Sequence, residues 1–207
     1  MDLLHSTARN KMDDFAPIKD NHRDRVYVIE TPEELDKHLH SKRKWVSNYF
    51  LIDKPRIVHF AEATGDTQWI HTASDEEVKN KLSLISHGFG EDPFDRTIAH
   101  GYYSLAMFGS LLGKAVNLRF VKLVINYGLD YVRFTSPVPV DSKVRAVVSI
   151  NRWEWLVDEN DPTKKNGVKI WWDQVLQIQG KQKPACYATS IILYYFDKDY
   201  APQKPSE

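Results

Sequence analysis

Hydrophobic and polar positions divide the chain into a mixed front, a helical middle and a strand-rich second half. Four stretches after residue 120 read as strand, "LVINYGLDYVRF" (123–134), "KVRAVVSINRWEW" (143–155), "VKIWWDQVLQIQG" (168–180) and "ACYATSIILYYF" (185–196), and the last three alternate apolar and polar positions with a period of two. That period predicts strands with one face buried. The polar stretches "TSPVPVDS" and "LVDENDPTKKNG" separate them as turns. Before them, "TIAHGYYSLAMFGSLLGKAV" (97–116) is apolar nearly all the way round and predicts a buried central helix. Its small residues Ala99, Gly101, Ser104, Ala106, Gly109 and Ser110 permit close approach of neighbouring backbone.

Further upstream the cap chemistry is explicit. "TPEELDKHLHS" has Thr31 as N-cap, Pro32 in the first helical position and two glutamates at the positive end of the helix dipole. "KWVSNYFLI" (44–52) reads as a strand. "DKPRIVHFAEATG" reads as a helix capped by Asp53 and stopped by Gly65. Ser74 and Glu77 form a capping box ahead of another helix. "ISHGFGEDPFDR" reads as a loop. The expected organisation is an arm over 1–44 with a short strand and helix, one domain over 45–198, and a polar tail over 199–207. A long helix followed by antiparallel strands gives an α+β fold, a sheet wrapped round a helix. Such a sheet leaves open edges, so a homodimer is expected.

Composition narrows the function. The 207 residues suit one domain and a real core. Basic and acidic residues number 28 each, so net charge draws the chain neither to nucleic acid nor to an anionic membrane. No apolar run approaches the roughly 18 residues of a membrane span, and the N-terminus lacks a secretory apolar region. Cys186 is the single cysteine, which excludes an internal disulfide and a cysteine-built metal site. A cytoplasmic protein is the expectation. No HExxH, CxxC, GxGxxG, P-loop or GxSxG pattern is present, and His38 and His40 read as solvent-facing residues of a polar helix rather than metal ligands.

Two short stretches carry candidate chemistry. In "GDTQWIH", Asp66 precedes His71 by five residues, with Trp69 and Ile70 between them. A carboxylate and an imidazole on one short loop can hold a water and move its protons, and apolar neighbours shift pKa values toward the working range. The same spacing also fits an Asx turn and a loop histidine satisfied by backbone. In "TIAHG", His100 and Gly101 stand at the start of the apolar helix, where free N–H groups favour negative charge such as an enolate oxygen. The glycine lets a ligand approach the backbone, although small size for packing and a capping role for His100 explain the pair as well.

"FAEATGDTQWIH", "TIAHGYYSLAM" and "NYGLDYVRFTSPVPVDSKVRA", in this order and spacing, resemble the MaoC-like dehydratase family, and within it the NodN-like subgroup. The resemblance covers about residues 45–196. It implies a hot-dog fold, a homodimer and (R)-specific hydration of trans-2-enoyl thioesters. It also implies Asp66 and His71 as the catalytic pair and the Gly101 N–H as partner of the thioester oxygen, with His100 beside it. CoA or acyl-carrier protein would enter as part of the substrate; no separate cofactor and no metal are implied. Trp69, Tyr102, Asn126 and Tyr127 are the candidate pocket residues. The chain departs from the pattern at Gln68-Trp69, where better known hydratases carry Asn-Pro, at Gly109, where some carry serine, and at Phe94-Asp95-Arg96. Acyl-thioester hydrolysis and non-catalytic acyl-thioester binding are the rival functions.

Overall fold

The computed structural model describes residues 26–85 and 95–200. Residues 1–25 of the expected arm, most of the loop over 85–96 including Phe94, and the end of the tail lie outside the described residues.

The cap chemistry forms as the sequence dictates. Helix α1 (Pro32–Leu39) starts at Thr31, whose side chain accepts from the Glu34 N–H. Strand β1 (Tyr27–Ile29) precedes it. Helix α2 (Lys54–Thr64) starts at Asp53, which accepts from the Arg56 N–H, and stops at Gly65 with φ 76°. A positive φ is one that glycine alone adopts freely, so the chain can turn sharply there into Asp66. Next come α3 (Trp69–Thr72) and α4 (Asp75–Ile85). The Ser74–Glu77 capping box closes on both sides ahead of α4. Helix α5 (Gly101–Ala115) is the central helix.

Strands β2 (Lys44–Val46), β3 (Phe50–Ile52), β5 (Val121–Phe134), β6 (Ser142–Val157), β7 (Lys165–Ile178) and β8 (Cys186–Tyr200) build one sheet, and β4 (Val116–Leu118) pairs outside it. The order is β2-β6-β7-β8-β5, with β3 also on β6, and all these pairs are antiparallel. The sheet's inner face and α5 enclose a core that includes Leu111, Phe108, Val148, Ile170 and Trp172. Burying each large apolar side chain contributes about 1.5–3 kcal/mol, so this shared core holds the helix against the sheet. An antiparallel sheet wrapped round a central helix is the expected hot-dog arrangement. No helix among the described residues is long and apolar enough to cross a membrane.

Four expectations change. "KWVSNYFLI" is two strands, because Ser47 turns inward and bonds both ways with the Ala146 backbone: its N–H donates to the carbonyl and its Oγ accepts from the N–H. The leader helix α1 docks through Leu35 and Leu39 as their spacing predicts, but the expected boundary at 45 does not hold, since the chain joins the domain from residue 26 on. Strand β1 pairs in parallel with β4, and Ile29, Leu35 and Leu39 join the core. Strand β8 runs to Tyr200, past the expected limit at 198, because Tyr200 is buried against Trp155. Helix α5 is not buried all round: Tyr102, Ala106, Gly109, Ser110, Gly113 and Lys114 lie exposed along one face.

Candidate functional site

The site forms where α2, α3 and the start of α5 meet. After Gly65 the chain turns through Asp66 and re-enters a short helical turn, so His71 lies within α3 rather than at the end of an open loop. Its N–H bonds the Gln68 carbonyl at 2.9 Å. The strap 97–99 lies beside it: the Ile98 N–H donates to the Ile70 carbonyl, and Ala99 and Val140 join this strap to the chain after β5. This places the Ile98 carbonyl over the His71 ring edge. His71 Nδ1 stands 2.8 Å from that oxygen. A carbonyl oxygen only accepts, so Nδ1 carries the hydrogen and Nε2 keeps its lone pair. His71 is buried, 6% exposed. Burial is the chief cause that lowers its pKa, outweighing the Ile98 hydrogen bond that raises it, with smaller opposed contributions from His100 and Asp66. A neutral imidazole with a free Nε2 is the form that accepts a proton.

His100 stacks on His71 with ring centroids 3.7 Å apart and planes 27° from parallel. Its Nε2–H donates to the backbone carbonyl of Asp66 at 2.9 Å. Donor atoms of Asp66, His71 and His100 all lie within 4.8 Å of one another. By distance this trio is what could hold a cation. The stacked rings argue against it, because their in-plane lone pairs run side by side instead of converging on one point.

Helix α5 begins without a side-chain cap. Its first backbone N–H groups, Gly101's among them, therefore lack an intrahelical or side-chain partner and carry the positive end of the dipole. A cavity of about 380 Å³ opens here, lined by His71, Ile98, Gly101, Ser104, Phe134 and Pro137 among others. The imidazole and the helix start thus share one space; Asp66 is exposed and is not among its lining residues, but its carboxylate comes within 4.8 Å of a His71 ring nitrogen. A water held at His71 and a carbonyl oxygen held at Gly101 would be neighbours in that space.

The other sequence-stated pocket residues lie elsewhere in the protomer. His100 faces His71 and Phe60 and is not among the cavity's lining residues. Trp69 is half-buried under the Lys81 ammonium, 5.4 Å from its ring. Tyr102 is 72% exposed and touches Phe134 edge-on. Tyr127 is 62% exposed on β5. Asn126 lines a second cavity of about 280 Å³ with Gly109, Leu112, Trp172 and Tyr194. His38, expected in solvent, is half-buried and within 3.0 Å of the Tyr27 hydroxyl.

Sequence reasoning missed Lys54. Its ammonium donates to the carbonyls of His71 and Ala73 and to Thr97 Oγ1, which itself donates to Ala73. It thereby clamps the C-terminal end of α3, where the dipole favours a cation, to the strap ahead of α5. A lysine just after a helix cap reads as a surface residue, and nothing in the local pattern marks it. Phe134, at the end of an alternating strand, gave no signal either.

Comparison with known proteins places this geometry in a family. A 3-hydroxyacyl-thioester dehydratase of Mycobacterium tuberculosis is 38% identical over 148 residues, which is 72% of this chain and 85% of the relative. Nodulation protein N of Rhizobium leguminosarum bv. viciae is 27% identical over 177 residues, 85% and 96% of the two chains. The unliganded (R)-hydratase PhaJ1 of Pseudomonas aeruginosa superposes with a TM-score of 0.52 at 16% identity, covering 82% of this chain and 90% of that one, and supports the fold. The MaoC like domain family matches residues 32–169, more than half of the chain, and this chain belongs to that family.

Proposed function

We propose that the protein is an (R)-specific enoyl-thioester hydratase/dehydratase that adds water reversibly to trans-2-enoyl-CoA or acyl-carrier thioesters. The observation that carries this reading is the His71 ring. The Ile98 carbonyl fixes its tautomer, burial keeps it neutral, and it lies within 4.8 Å of the Asp66 carboxylate on the cavity that the Gly101 amide also lines. In the addition, His71 Nε2 takes a proton from a water that also donates to the Asp66 carboxylate. The water oxygen bonds to C3. The C2–C3 electron pair moves toward the thioester, and the carbonyl oxygen gains negative charge against the Gly101 N–H and the helix dipole. The imidazolium, stabilised by Asp66, then returns the proton to C2. No electrons pass to or from a redox partner, so the reading calls for no nicotinamide or flavin.

The same reading gives the protein a second copy of itself. Strand β5 is 14 residues long and, among the described residues, pairs only with β8, which leaves its other edge open with Leu123, Val124, Ile125, Tyr127 and Leu129 exposed. A long edge with no proline, and with Leu123 to Leu129 free of charge between Lys122 and Asp130, calls for a pairing strand. An antiparallel β5–β5 homodimer would cover it, together with the bare face of α5. Ile125→Lys should turn dimer into monomer by light scattering. Cytoplasmic location fits the thioester substrates and the single, buried Cys186.

The test is loss of enoyl absorbance with crotonyl-CoA and longer trans-2-enoyl-CoAs, with Asp66→Asn and His71→Ala beside the wild type. Turnover by wild type and its loss in both folded variants support the hydratase. Release of free thiol would make the protein a thioesterase. Tight binding of an inert acyl-CoA analogue with no turnover at any chain length would make it a binding module.

A further inference from the structure

The buried imidazole of His100 has work that the hydration scheme leaves unassigned. It is 2% exposed and does not line the cavity. One face lies on His71, and Phe60 packs against it with centroids 5.0 Å apart. Its Nε2–H reaches the Asp66 carbonyl, and its Nδ1 is buried with no hydrogen-bond partner. A ring that needed only to fill this space would leave less polar surface unsatisfied as a phenyl group, because an unpaired buried acceptor is costly. The cost makes sense if the ring's N–H is what matters. Asp66 follows Gly65, at the end of a helix, and is itself exposed, so its loop has few other anchors. The hydroxyl of Thr64 at 3.5 Å from the Asp66 N–H is a weak one. The next residue along from His100 is Gly101. One side chain therefore touches the backbone of one member of the pair and the ring of the other, and its own backbone leads into the helix start.

We propose that His100 is a positioning residue: its Nε2–H pins the backbone of Asp66 while its ring face braces His71, holding carboxylate and imidazole at a fixed separation beside the Gly101 amide. It moves no proton in the reaction. This rests on the reading of Asp66 and His71 as the hydrating pair.

Two substitutions separate its two contacts. His100→Phe keeps a flat face against His71 and removes the donor. His100→Gln keeps a donor and removes the ring. Each should lower kcat of enoyl-CoA hydration by about tenfold to a hundredfold with KM changed less than about twofold, because misplacement by an ångström or less is enough to cost that much. A residue needed only for packing would be restored by His100→Phe, and full kcat in that variant overturns the proposal. Nitrogen-15 NMR of the wild-type imidazoles supplies a measurement that needs no variant to fold. It should show His100 protonated on Nε2 and His71 on Nδ1, and the opposite tautomer at His100 overturns the proposal. Wild-type activity in Asp66→Asn, by contrast, would sink the hydrating pair itself, whatever the tautomers show.

Discussion

Gly101→Ala is the sharpest perturbation of the site, since it adds one methyl group and removes no polar atom. A Cβ built on Gly101 would stand 3.1 Å from Phe134 Cδ2 and 3.2 Å from both Cε2 and Cγ. Non-bonded carbons rest at about 3.5–4.0 Å, so the ring must retreat by several tenths of an ångström. It can do so. Phe134 is 47% exposed, and Tyr102 meets it only edge-on at 5.9 Å. Overpacking of this kind costs about 1–3 kcal/mol when the surroundings cannot yield. Here it is reduced because the exposed ring can turn aside, and offset in part by alanine's advantage over glycine, which at this first helical position is smaller than the roughly 0.5–1 kcal/mol of a helix interior. The net change in stability should stay within about 1 kcal/mol, which moves Tm by about 2–4 °C in a protein of this size.

Activity should respond far more than stability. Phe134 and Gly101 both line the cavity. The new methyl group and the displaced ring occupy space through which a thioester oxygen must approach the amide. Removing such a donor altogether costs about 10²–10³ in kcat; hindering the approach should cost about tenfold to a hundredfold in kcat/KM, or 1.4–2.7 kcal/mol. The assay is a double-mutant cycle on enoyl-CoA hydration with Gly101→Ala, Phe134→Ala and the pair, with Tm recorded for each. If the clash is the cause, adding Gly101→Ala to Phe134→Ala has little further effect, giving a coupling of about 1 kcal/mol or more. An equal loss with and without the phenyl ring would refute the steric reasoning. Undiminished kcat/KM in Gly101→Ala would remove Gly101 from the oxygen site.

Other expectations follow from individual side chains. His71 has its pKa held below the ordinary 6.5 by burial; the unfolded chain then binds a proton that the folded one refuses as pH falls from 6.5 toward the folded value, so stability declines in that window and is flat above it. His38 is lowered as well, so Tm followed from neutral to mildly acid pH should fall in wild type and fall less in His71→Gln, and an acid limb of kcat/KM above 6.5 would contradict a buried neutral base. Lys54→Met should cut kcat by about tenfold through a loosened α3, with Lys54→Arg restoring part of it; equal activity in all three proteins would reduce the clamp to decoration. Cys186 is buried and its thiol is pushed up to about 12, so iodoacetamide at mildly alkaline pH should label it only after denaturant is added, and prompt labelling of the native protein would show that β8 opens.

The features legible in the sequence were those whose cause is local. Thr31, Asp53, Gly65 and the Ser74–Glu77 box set helix limits through local geometry and bonds spanning three residues, and three of the four long strands announced themselves by alternation. What was hidden depends on groups distant in sequence. The break in "KWVSNYFLI" needs the Ala146 backbone, 99 residues away. The brace on His71 needs Lys54 from a helix earlier in the chain and His100 from one later. The motif residues Asp66 and His71 come within 4.8 Å of each other, and His71 and Gly101 line one cavity, but adjacency to a motif did not place Tyr102, Asn126 or Tyr127 on it. Those three share a location with another misfit. Tyr102 stands on the bare face of α5 with Ala106, Gly109 and Gly113, while Asn126 and Tyr127 stand on the open strand β5. An apolar count along a sequence measures surface that is buried in the working assembly, whichever chain buries it. The single chain leaves this helix face and this strand uncovered, and the proposed second copy, docking along the same edge, would account for the apolar content that reads as a wholly internal helix. On that account Tyr102, Asn126 and Tyr127 would face the proposed interface between two copies rather than the cavity of one.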